Sequence, residues 1–209
     1  TGVQTCALPI CLGIPLDVRE PAPVSEAQLC LAHDAEFVRG VLTGTEANGF
    51  GNTSPEVARS LPYTSGAMLA ATREAIANGA VAVAPCSGFH HAHYASAGGY
   101  CTFNGLVVAA QVLNVAGEAK RVGILDFDEH YGDGTDDIID CLKLRHIEHC
   151  TAGRRWMRKS QAVEFLSLIP SMVDAMGDCD VILYQAGADP HVDDPLGGWL
   201  TTAQLAERD

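Results

Sequence analysis

Three observations predict an α/β fold of three layers, a mainly parallel sheet covered by helices on both faces. Short apolar runs without a helical period recur, most clearly at Val122, Ile124 and Leu125 and again over 181–184. Stretches with helical period separate these runs, the order expected of βαβ units. The central run passes directly into a loop containing Gly132 and Gly134, so a buried strand ends there in a tight loop. With 209 residues, 47% of them hydrophobic, the chain is long and apolar enough for one domain with a sizeable core.

Residues 1–10, TGVQTCALPI, lack an initiator Met and follow no amphipathic period. They resemble a translated sequencing-adapter remnant, so a non-native leader is expected over 1–10 and the domain over 11–209. Ser25, with Glu26 and Ala27 behind it, starts a helical pattern through Leu29, Phe37, Val38 and Leu42 that Gly44 ends. Residues 46–63 read as a loop containing Gly49, Gly51, Asn52, Pro55 and Pro62, with room for a short helix over 54–60 beginning at Pro55. An alanine-rich helix follows over 65–78 and stops at Gly79. Val81, Val83 and Ala84 then predict a buried strand closed by Pro85. Downstream, helices are expected over 104–116, 135–142 and 161–176, and strands over 121–126, 145–150 and 180–184. A helix beginning over 201–207 is still running at Asp209, so the C-terminal part of the fold is expected to be missing.

The net charge is −13, from 26 acidic and 13 basic residues. A surface for duplex nucleic acid needs the opposite balance, whereas a negative field attracts cationic polyamines and lysine-rich peptides. The eight cysteines form no CxxC pair, which favours reduced thiols and a cytoplasmic location over a disulfide framework. No apolar run reaches the length of a membrane span.

Chemistry concentrates in RVGILDFDEHYGDGT, residues 121–135. In extended backbone, residues two apart point the same way, so Asp126, Asp128 and His130 share one side while Phe127 and Glu129 share the other. Two carboxylates and an imidazole converging at the carboxyl end of a parallel strand suit a divalent cation. On this motif alone, capping aspartates and an ordinary loop histidine are an equal alternative.

Two further stretches change that balance. SGFHHAHYASAGGYCTFN, residues 87–104, carries adjacent His90 and His91, and QAGADPHVDDPLGG, residues 185–198, places Asp189 after an apolar run. Alone, His90 and His91 could be a solvated loop pair. In this order, the three motifs resemble the zinc-dependent histone deacetylase family, which includes acetylpolyamine amidohydrolases and bacterial acetoin-utilisation-type proteins, over roughly residues 11–209.

The resemblance implies an arginase/deacetylase-like αβα fold, here a partial deacetylase domain. It also implies hydrolysis of an acetyl or other acyl amide on a lysine side chain or a polyamine. Asp128, His130 and Asp189 take the metal-ligand positions, and three protein ligands leave a coordination position for the reaction. Zinc suits this oxygen and nitrogen set, and iron(II) or cobalt(II) fits it too; family members also bind potassium beside the aspartate at position 126. His90 and His91 take the places of the catalytic pair, His90 oriented by Asp126 and His91 by Asp133, with His91 accepting a proton from the attacking water. Gly99 would narrow a substrate channel, and Tyr100 stands either as its aromatic wall, suited to a methylene stem, or as core packing. His191, Asp193 and Asp194 read as rim residues after Pro190, and His33, His93, His146 and His149 as structural or surface histidines.

Two departures from the family stand out. Tyr131 replaces a second loop histidine that is not a ligand, so the metal site should survive. The glycine-rich loop whose tyrosine polarises the scissile carbonyl has no counterpart here, so weak or absent turnover is expected of the chain as it stands. Two other readings remain: an arginase-like ureohydrolase, which the tandem histidines oppose, and a metal-containing acyl-lysine-binding or inactive fragment without turnover.

Overall fold

The computed structural model describes residues 17–209 except residue 197; the expected leader over 1–10 and residues 11–16 lie outside the described residues. Its centre is β1 (Val122–Asp126), flanked by β2 (Ile147–Thr151) and β3 (Val181–Gln185), both parallel to it, in the order β2-β1-β3. Asp126 lies in register with Thr151 and Gln185, so all three strands deliver their carboxyl ends to one edge.

Strand alternation divides the core. Val122, Ile124, Ile147 and Leu183 join a cluster with Leu29, Val38, Leu106 and Leu113 on one face. Leu125 and Phe127 join Trp156, Phe165, Met176 and Trp199 on the other. A sheet buried on both faces is what the continuous apolar runs require.

The first face is covered by α1 (Glu26–Leu29), α2 (Ala35–Thr43), α3 (Pro55–Asn78), α4 (Gly105–Ala116) and α5 (Asp133–Leu142). The second is covered by α6 (Ala162–Ala175) and α7 (Thr202–Arg208). The expected single helix from Ser25 to Gly44 is two helices. The Asp34 side chain accepts from Glu36 N and Phe37 N and so starts a new helix, leaving buried His33 in the intervening turn. Gly44, at φ +80°, ends it as expected.

α3 corrects the sequence reading in the opposite direction, since the expected loop over 46–63 ends at Ser54. Ser54 caps the helix, Pro55 occupies its first turn, and Pro62 lies in its interior. The missing N–H of Pro62 is offset by an unbroken buried stripe of Ala58, Leu61, Ser65, Leu69 and Thr72.

The strand expected at Val81, Val83 and Ala84 does not form. A strand needs a neighbouring ladder, and here a groove of about 860 Å³ separates this segment from the outer edge of β3. Val81 and Val83 are accordingly 87% and 78% exposed. Among the described residues, no helix is long and apolar enough to cross a membrane.

Candidate metal and histidine site

The loop after β1 folds on its own aspartates. Asp126 Oδ1 accepts from Asp128 N at 3.2 Å, and Asp128 Oδ1 accepts from His130 N at 3.0 Å. These side-chain turns hold successive polar residues in a fixed arc. The loop after β3 meets it, with Asp189 Oδ1 accepting from Glu129 N at 3.2 Å. A Cβ at Gly187 would stand 2.5 Å from Asp128 Oδ2 and 2.7 Å from Asp189 Oδ1, so only glycine lets the two loops close.

Asp128, His130 and Asp189 each offer a ligand atom within 4.8 Å of the others. His130 Nδ1 is 3.3 Å from Asp128 Oδ1 and 2.9 Å from Asp189 Oδ2. Burial first, and then the charge of Asp128, push the Asp189 pKa above the usual carboxylate range. A divalent cation among the three removes that conflict, so these residues fit a metal.

His90 and His91 sit beside this trio on a turn held against the first turn of α5 by a hydrogen bond from Thr135 N to His90 O at 3.1 Å. His90 Nδ1 donates to Asp126 Oδ2, and His91 Nδ1 donates to Asp133 Oδ1, each at 2.7 Å. His90 Nε2 lies 3.6 Å from Asp128 Oδ1, and the His91 ring centroid is 5.9 Å from that of His130. The two carboxylates differ in setting: Asp126 is sealed in the core, whereas Asp133 is half-exposed in the first turn of α5. Burial alone would raise both of their pKa values, and the facing histidines outweigh it and hold both below the usual range.

Sequence reasoning overlooked His149, which it left among structural or surface histidines. In β2, His149 is in register with Ile124, so its side chain shares a face with Asp126. The ring is 3% exposed; Nδ1 donates to Asp136 Oδ1 at 2.7 Å, and Nε2 faces Asp126 Oδ2 at 3.9 Å. Burial opposes a charge on this ring, but the two carboxylates prevail and raise its pKa. Asp136 is also held by Tyr131 Oη and Arg154. Arg208 was overlooked as well: its buried guanidinium donates to Phe127 O at 3.0 Å and Gly187 O at 2.6 Å, tying both ligand loops to α7.

At the rim, a Cβ on Gly99 would meet His91 Cδ2 at 2.5 Å, so backbone approaches the ring closely there. Tyr100 is exposed rather than core packing, at φ +64°, with its ring 5.8 Å from that of Phe50. His191 accepts from Asp193 N and pairs with Thr202 Oγ1. His33 is buried and hydrogen-bonded, as a structural histidine should be.

With this geometry in place, the chain belongs to the histone deacetylase domain family, whose sequence model matches residues 11–143. It is 44% identical over 147 residues to histone deacetylase 6 of Caenorhabditis elegans, covering 55% of this chain and 15% of that protein. It is 53% identical over 50 residues to the acetylpolyamine amidohydrolase of Mycoplana ramosa, covering 24% of this chain and 14% of that one. The fold superposes on a histone deacetylase homolog from Aquifex aeolicus with a TM-score of 0.78 and 17% identity, covering 98% of this chain and 67% of that structure. The chain thus spans about a seventh of each of these two curated relatives.

Proposed function

We propose that this protein is a metal-dependent amide hydrolase that removes an acetyl or related acyl group from a lysine side chain or a polyamine. The observation that carries the proposal is the convergence of the Asp128, His130 and Asp189 ligand atoms within 4.8 Å, with His90 and His91 beside them. Zinc suits the donor set best, with iron(II) and cobalt(II) as fits to the same atoms. When bound, the metal supplies a Lewis acid that polarises the amide carbonyl.

The protein's own groups supply the proton chemistry. Asp133 holds the His91 ring by Nδ1, which leaves Nε2 to take a proton from the attacking water and return it to the departing amine. His90, locked by Asp126 and turned toward Asp128, orders the polar corner in which charge develops. Asp126 Oδ1 and Oδ2 accept from Asp128 N and His90, which leaves a lone pair on each for the potassium ion that the family resemblance implies. Gly99 and the exposed Tyr100–Phe50 pair form the channel rim, where aromatic faces suit a methylene stem.

Acetylated lysine peptides and acetylpolyamines both carry cationic chains suited to a protein of net charge −13. The decisive comparison uses two variants. Asp189→Ala should weaken zinc binding at least ~100-fold, whereas His91→Ala should keep the metal and lower turnover of an acetyl-lysine peptide roughly 10²–10⁴-fold. Equal loss of metal in both would overturn the assignment, and metal binding without turnover in a full-length version would leave a binding protein.

A further inference from the structure

His149 has no role in the chemistry above, yet it is built into it. Its strand neighbour is Ile124, two residues before Asp126, so alternation aims the imidazole at the Asp126 carboxylate, at the same Oδ2 that His90 holds. The ring is enclosed, and among the described residues its Nε2 has no hydrogen-bond partner; the acidic oxygen it faces is Asp126 Oδ2 at 3.9 Å. On its far side, Nδ1 is fixed by Asp136 at 2.7 Å, and Asp136 is fixed in turn by Tyr131 and Arg154. A Cβ at Gly132 would crowd His149 Cε1 at 3.1 Å, so the glycine loop after β1 closes over this ring.

Building on the deacetylase reading, we propose that His149 is a positioning residue that holds Asp126 between two imidazoles and thereby fixes the ring of His90 over the metal corner. The continuous row is Arg154, Asp136, His149, Asp126, His90, running from the surface to the site. Asp126 is sealed from water, its Oδ1 accepts from Asp128 N and its Oδ2 from His90, and His149 adds a second imidazole facing that same Oδ2. The second imidazole provides a cross-strand counterpart that fixes the rotamer. Such support around a functional histidine commonly carries a tenfold to hundredfold effect on activity.

The test compares His149→Phe with His149→Gln in the full chain. Phe preserves ring volume and removes both donors, whereas the Gln amide can place a donor where Nε2 stands. Three quantities are read: the low-field proton resonance of His90 Nδ1–H, zinc affinity, and kcat and KM for an acetyl-lysine peptide. In His149→Phe the resonance should move and kcat should fall about 10–100-fold, with KM and zinc affinity within about threefold of the parent. His149→Gln should restore the resonance position and most of kcat. An unmoved resonance in His149→Phe overturns the proposal. So does equal impairment of both variants with zinc affinity lost, which marks a merely structural ring. Absence of both zinc binding and turnover in the parent protein would refute the deacetylase reading, while the resonance would still decide the role of His149.

Discussion

His33 is held in one neutral form, its Nδ1–H donating to His93 O at 2.9 Å and its Nε2 accepting from Asn104 N at 2.8 Å. Burial in the turn between α1 and α2 lowers its pKa to about 4. The folded protein therefore binds fewer protons here than the unfolded chain between pH 4 and 6.5. The contribution to stability is complete above the unfolded pKa of 6.5 and is lost as pH falls toward 4. On the order of 3 kcal/mol should disappear across that window, read as a drop in the urea midpoint that a His33→Gln variant lacks. At this scale the candidate metal and histidine residues were legible because three separate motifs agreed, whereas the D-x-D-x-H loop alone left capping aspartates and a loop histidine as an equal reading. His149 was not legible, since its role is set by a register partner 25 positions away in the chain, Ile124, and by the charge beside it. Tyr100 could not be divided between wall and core until its exposure was known.

Among the elements, α5 bears most directly on the site. Its first turn supplies Asp133, and Gly134 lets it press on the dyad turn: a Cβ there would lie 2.5 Å from Ala92 O and 2.6 Å from His91 C. Both obstacles are backbone and cannot swing aside. Gly134→Ala should therefore destabilise the protein by roughly 1–3 kcal/mol in urea titration and displace His91 from Asp133, in spite of alanine's better helix propensity. A rise in stability would show that the turn yields. The same scale holds the two main misreadings of the sequence. Pro62 marked a loop by propensity, but a buried stripe extending on both sides of it kept α3 continuous. Val81 and Val83 carried the composition of a strand without a strand to pair with, because strand formation depends on a neighbour as well as on side chains.

For the whole molecule, the edge where β1 and β3 end is where buried carboxylates meet without enough positive charge of their own. Zinc should stabilise the fold by mass action, about 2.7 kcal/mol at a free concentration one hundred times its Kd. A thermal scan should show Tm rising with zinc and returning with a chelator, and Asp189→Ala should abolish the response. An unchanged Tm at saturating zinc would contradict the assigned ligands. Arg208, in α7, clamps Phe127 O and Gly187 O together, so the second helical layer contributes to this corner as well.

The sequence by itself determined the alternation of strands and helices, the parallel sheet, and which residues were candidates for the metal and paired-histidine site. Periodicity and side-chain chemistry are local properties, and the apolar runs, the glycine loops and the D-x-D-x-H spacing state them directly. The tertiary structure decided which strands found partners, where helices broke, and which distant groups share a charge. Those outcomes depend on burial and distance, and for His149 facing Asp126 at 3.9 Å across two strands, only the folded register brings the two together.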